Sequence, residues 1–118
     1  MRTLLATASL LLAVFAGTAA HAHAFLDHAS PLVGGTVAAA PHEVTLWFTQ
    51  SLEPAFSRVE VSDSNGARVD QGKAQVSGST MRVGLKPLAA GTYRVHWHVL
   101  SVDTHTTQGS FTFRVGGR

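Results

Sequence analysis

The sequence predicts an all-β domain, a sandwich of about seven to eight short antiparallel strands, and three observations carry the prediction. First, apolar residues recur with a period of two in run after run: Val44, Leu46 and Phe48; Val59 and Val61; Met81, Val83 and Leu85; Val95, Trp97 and Val99; Phe111, Phe113 and Val115. That period is the signature of strands with one buried face. Second, the runs are spaced by turn-forming Gly, Pro, Asn and Asp residues, and no amphipathic helix of useful length interrupts them. Third, Leu88-Ala89-Ala90-Gly91-Thr92-Tyr93 has the layout of a tyrosine corner, in which a phenolic hydroxyl at the start of a late strand bonds back to upstream backbone. The corner favours a sandwich over a barrel.

Met1 to Ala22 stands apart from this pattern. Arg2 is followed by an apolar run from Leu4 to Phe15 and then by small residues ending in Ala20-His21-Ala22, the grammar of a cleavable secretory signal peptide. The run is shorter than the ~20 apolar residues that span a bilayer. Two A-x-A sites overlap: cleavage after Ala22 leaves His23 first, and cleavage after Ala24 leaves Phe25 first. Removing residues 1–22 of the 118 leaves 23–118, enough for one small domain and too little for two. The net charge is only +2 and no run of Lys or Arg occurs, so nucleic-acid binding gains no support. With no Cys, an exported domain of this size must be stabilised by its apolar core without disulfides. Thiolate metal sites, a thiol nucleophile and a lipoprotein anchor are excluded as well.

In chain order, His23 to Ser30 reads as a first strand, closed by Pro31 and Gly34-Gly35. His28 in this strand reads as a surface or edge histidine. Glu43 to Thr49 is the next strand, and its outward Trp47 is expected to lie under a loop. Gln50 to Phe56, with Pro54, reads as a crossover loop. Arg58 to Asp63 is a strand that enters the hairpin turn Asp63-Ser64-Asn65-Gly66, because Asn-Gly accepts the positive φ of tight turns. Ala67 to Val76 is read as the return strand with a bend, followed by a strand over Thr80 to Leu85. The last two strands lie within Thr92 to Val115, with Asp103-Thr104-His105 between them.

The chemistry is expected where that last turn lies. Met81 is the only methionine after processing, so a metal site here must use nitrogen and oxygen donors, which suit Cu(II), Ni(II) or Zn(II). The histidines that remain after processing, which removes His21, are His23, His28, His42, His96, His98 and His105. His96 and His98 project from one face of a strand and are read as surface residues, with a second, weak metal site left open. Asp103 and His105 alone are compatible with a simple Asx-type turn. A processed N-terminal His23 changes that balance, because it offers its free amine and its ring Nδ1 together. An imidazole from His105 and the Asp103 carboxylate would complete a tetragonal N,O set, which prefers Cu(II).

His23 after the signal peptide, Ser30-Pro31, Val44-Thr45-Leu46-Trp47-Phe48, Pro87 to Tyr93, Trp97, Ser101-Val102-Asp103-Thr104-His105 and Gly109-Ser110-Phe111-Thr112-Phe113 together resemble the CopC copper-resistance family. The resemblance spans essentially the whole of 23–118. It implies an immunoglobulin-like Greek-key sandwich in the periplasm that binds one Cu(II) through the N-terminal His amine and ring and through the Asp and His of the turn, here His23, Asp103 and His105. The alignment with Ser-Pro favours cleavage after Ala22. Some members carry a Met-rich Cu(I) loop, which this chain lacks. Others place an acidic residue near the copper, where this chain has Gln50, with Glu53 displaced. The implied role is a monomeric, non-enzymatic binding protein that sequesters copper or delivers it to a CopD-type membrane permease. The alternative is a copper-dependent oxygenase using an N-terminal histidine chelate. Against it, Asp103 occupies a position that O₂ activation would need open. A metal-free adhesive sandwich is the third reading, tied to cleavage after Ala24.

Overall fold

The computed structural model describes residues 23–116, so the expected signal peptide over Met1–Ala22 lies outside the described residues. Among the described residues eight strands form two four-stranded sheets. They are β1 (Leu26–Ser30), β2 (Thr36–Val37), β3 (Glu43–Phe48), β4 (Arg58–Asp63), β5 (Asp70–Ser77), β6 (Thr80–Leu85), β7 (Gly91–Leu100) and β8 (Thr106–Val115). One sheet has the order β1-β3-β6-β5 and the other β2-β8-β7-β4. The connections β3–β4 and β6–β7 both cross between sheets, which makes β3 pair with β6 and β4 with β7 in Greek-key fashion. Among the described residues the only helical element is a 3₁₀ turn at Pro54–Phe56, where proline fixes the φ of the first position.

The alternation read from the sequence is the burial pattern of the fold. Val44, Leu46, Val61, Met81, Val95, Val99 and Phe113 are fully buried, and the ring of Phe48 meets Trp97 edge-on at 5.2 Å. Each such large side chain contributes about 1.5–3 kcal/mol by leaving water, which is the stabilisation available to a chain without disulfides. The expected tyrosine corner is present: the Tyr93 hydroxyl donates to Ala89 O at 2.6 Å.

Three features depart from the expectation. β2 pairs with the end of β8 in parallel over two residues, a contact that a loop rich in Gly and Ala had not announced. Trp47 is covered by the ring of His28, stacked at 4.3 Å and 8°, and not by a loop, because the two residues are cross-strand partners. The turn at Asn65-Gly66 forms, with Gly66 at φ 86, but the return segment stays with β4 only through Ala67 to Val69. The chain then crosses to the opposite sheet, where β5 pairs with β6. Asp70 marks the crossing: its carboxylate accepts the Val61 N–H at 2.8 Å, so a side chain supplies the bond that a continued hairpin would have made.

Candidate metal centre

Ser101 to His105 join the longest strands of the molecule, β7 and β8, at one end of the sandwich. The turn is closed on a buried serine. Ser101 N–H donates to His105 O at 2.9 Å, the His105 N–H donates to Ser101 Oγ at 3.3 Å, and the Ser101 hydroxyl donates to Asp103 Oδ1. Thr104 donates its N–H to Ser101 O at 2.9 Å and takes the left-handed φ of 73°, rare for a β-branched residue. One hydroxyl therefore fixes both the carboxylate and the backbone of His105.

Asp103 Oδ1 lies 3.5 Å from His105 Nδ1. Asp103 Oδ2 is buried and has no hydrogen-bond partner. The Ser101 hydroxyl first, and His105 beside it, hold the Asp103 carboxyl below the usual carboxylate range, against a partial loss of hydration that pushes the other way. The group is an anion with one oxygen engaged and one spare.

The N-terminal segment arrives at the same end. His23 places its ring 4.5 Å from the ring of His105 and 5.8 Å from that of Phe25. Ala24 is fully buried in the core, its carbonyl accepting from Thr107 Oγ1 at 2.7 Å. Phe25 exchanges bonds with Thr49: its N–H reaches Thr49 Oγ1 at 2.9 Å, and its carbonyl accepts the Thr49 N–H at 2.9 Å. Thr49 follows β3 and Thr107 lies in β8, so the segment is tied to both sheets. The loop that carries Gln50 and Glu53 runs alongside, with Ser51 O accepting the Val102 N–H at 3.0 Å and Glu53 N–H donating to Leu100 O at 2.8 Å.

The structure thus brings His23, Asp103 and His105 to one end and leaves the other histidines elsewhere. Among the described residues no three His, Asp or Glu side chains stand ready-made around one point. As long as Ala22 precedes it, the nitrogen of His23 is a peptide nitrogen. His28 sits on the edge strand β1 with Asp27 Oδ2 2.7 Å from its Nδ1, as expected of an edge histidine. His42 is exposed in the loop before β3. His96 and His98 share the outer face of β7 but are half-buried, not fully exposed, because Glu60 and Ser110 flank the first and Arg58 and Gln108 the second. Ser101 stands in the turn motif that carries the resemblance, but its positioning role, like the roles of Ala24, Thr49 and Thr107, was not anticipated. Thr107 alone left a signal, as a polar residue in the inward row of β8.

Residues 26–116 match the family model described as the CopC domain. The chain is 37% identical over 98 residues to Protein YobA of Escherichia coli (strain K12), covering 80% of this chain and 79% of that protein. It is 33% identical over 123 residues to Copper resistance protein C of Xanthomonas campestris pv. juglandis, covering 97% and 96%. It is also 33% identical over 111 residues to the Copper transport protein CutJ of Bacillus subtilis (strain 168), covering 91% of this chain but 20% of that protein. Among solved structures, CopC from Methylosinus trichosporium OB3b superposes with a TM-score of 0.74 at 36% identity, covering 79% of this chain and 93% of the other. PcoC from Escherichia coli, a methionine-rich copper resistance protein, gives 0.73 at 31%, covering 80% and 100%.

Proposed function

The chain belongs to the CopC family of copper-resistance proteins, and from that premise we propose that it is an exported protein that binds one Cu(II) through His23, Asp103 and His105. The observation that carries the reading is the meeting of the His23 and His105 rings at 4.5 Å beside the Asp103 carboxylate. Two imidazoles and an anion at one end of a rigid sandwich are donors that suit Cu(II). Asp103 Oδ2 adds weight, since buried polar atoms almost always find a partner and a bound cation would be one.

The fourth donor is the amine that His23 gains when it becomes the first residue. Cleavage after Ala22 creates it. Cleavage after Ala24 would delete both His23 and a fully buried core residue, so the burial of Ala24 supports the earlier site. Export places the domain in the periplasm, where it acts as a monomer without catalysis. The relatives named for copper resistance and transport support that role and lend nothing to the oxygenase alternative. Met81, the one methionine of the domain, is fully buried, which supports a Cu(II) role without a thioether Cu(I) site. Handover of the ion to a membrane permease of the CopD type is the delivery step of this reading, in keeping with a relative named for copper transport.

The test places one extra Ala before His23 in the mature protein. The side chain stays, but the nitrogen becomes an amide that coordinates only after losing its proton. Cu(II) affinity, measured by competition with a chelator, should fall as much as in His105→Ala, and at least about tenfold further than in His96→Ala or His98→Ala, ~1.4 kcal/mol. His28→Ala and His42→Ala should be nearly silent. If the extended protein binds as tightly as the authentic one while His96→Ala and His98→Ala abolish binding, the site lies on β7 and the assignment is wrong.

A further inference from the structure

We propose that Thr107, together with Thr49, is a positioning residue that sets the register of the N-terminus, so that His23 and no other residue reaches His105. The inference rests on the metal-centre reading above and adds to it the device that delivers the N-terminal donors. Thr107, Gly109, Phe111, Phe113 and Val115 form the inward row of β8, and Thr107 is the one member with a polar side chain. A hydroxyl turned toward a core needs a partner. Its partner is the carbonyl of Ala24 at 2.7 Å, across 83 residues of sequence. Opposite Thr107 on β7 stands Val99, fully buried, so a valine would satisfy the local packing pattern at position 107 equally well. The hydroxyl is therefore better explained by what it holds than by the strand it belongs to.

The second tie comes from the other sheet. Thr49 Oγ1 accepts the Phe25 N–H at 2.9 Å and lies 3.4 Å from His23 O, to which it donates. Thr107 holds Ala24 by its own carbonyl, Thr49 holds the residues before and after it, and the Ala24 methyl fills a fully buried slot. A chain gripped one residue beyond its first residue has little freedom left at that residue. A slip by one position would put the bulkier Phe25 or His23 into the slot made for Ala24 and withdraw the imidazole from His105.

The experiment uses the mature protein beginning at His23 and compares Thr107→Val, Thr107→Ser and His105→Ala by Cu(II) competition titration and electron paramagnetic resonance. Thr107→Val keeps the shape and β-branching of the strand residue and removes only the hydroxyl. It is expected to weaken Cu(II) binding about tenfold, the effect of one lost hydrogen bond on a pre-positioned donor, with altered nitrogen hyperfine coupling. Thr107→Ser, which restores the hydroxyl, should recover the native spectrum. Unchanged affinity and spectrum in Thr107→Val, or no recovery in Thr107→Ser, overturns the positioning role. A protein whose His105→Ala form still binds Cu(II) normally overturns the metal-centre reading instead, so the two failures are told apart. Should Thr107→Val not fold, Thr49→Val repeats the test from the exposed side of the clamp, with the same loss expected and the same null result decisive.

Discussion

Asp103 presents its two oxygens to different surroundings, Oδ1 to the Ser101 hydroxyl and His105, Oδ2 to a buried space with no partner. Asp103→Asn retains the shape and an acceptor for Ser101 but removes the charge that a divalent ion would meet. Cu(II) affinity should fall at least about tenfold, read by chelator competition, and an unchanged affinity would remove the carboxylate from the coordination set. At this scale the sequence announced the residue types that carry chemistry, because Asp and His two apart in a turn are recognisable as donors. It did not announce what aims them. Ser101 looks like an ordinary turn residue until its complete burial and its bonds to both neighbours are seen, and Gly109 looks like one more flexible position. Yet a Cβ on Gly109 would stand 2.5 Å from Trp97 Cζ2, inside van der Waals contact with a ring packed in the core. Gly109→Ala should therefore destabilise the domain by about 1–3 kcal/mol in denaturant unfolding, whereas a loss near zero would mean that the ring moves aside freely.

The segment from Arg68 to Asp70 shows how an element boundary is set by side chains. Asp70 accepts the Val61 N–H and a two-point bond from Arg68, Nε to Oδ1 and a terminal nitrogen to Oδ2, each at 2.7 Å. Those contacts, the Arg68 bond first, pull the Asp70 carboxyl below the usual carboxylate range. A folded-state value below the unfolded one means that the unfolded chain takes up the proton first as pH falls. The stabilisation is present above the unfolded value near ~4 and is lost as pH drops through the folded one. Because Arg68 is half-exposed, solvent screens much of the ion pair and the Val61 bond matters more. Asp70→Asn should thus flatten the acid limb of the stability–pH curve while retaining an acceptor for Val61, and Asp70→Ala should cost a further ~1–2 kcal/mol. Equal losses in the two variants would show that the backbone bond contributes nothing. Alternation alone located β4 and β6 to the residue, since both have one clean buried face. It could not reveal that β5 changes sheet, because its exposed Gln71, Gly72 and Lys73 carry no face preference and the crossing is decided by Asp70.

Across the whole molecule, the candidate centre gathers pieces from both sheets: the β7–β8 turn from one, and a leading segment tied at Thr107 in that sheet and at Thr49 beside β3 in the other. The sandwich itself was readable from strand spacing and the tyrosine corner, because both are local in sequence. The docking of Ala24 on Thr107 was not, since a polar residue in the inward row of β8 asks for a partner without saying that the partner lies 83 residues away. This architecture makes a prediction that neither a flexible N-terminal histidine nor a surface chelate would share. An ion that binds only the folded state stabilises it by RT ln(1 + [L]/Kd), about 2.7 kcal/mol at a hundredfold excess over Kd. With donors drawn from the N-terminus and the β7–β8 turn, Cu(II) should raise the unfolding temperature and also slow amide exchange at Phe25, whose N–H bonds to Thr49 at the start of the fold. Both effects should vanish when an Ala precedes His23, and both should shrink as the solution is acidified, because protons compete with Cu(II) for the nitrogen donors. A Cu(II)-induced rise in unfolding temperature with unchanged exchange at Phe25 would place the ion away from the N-terminus, on a part of the sandwich that the leading segment does not touch.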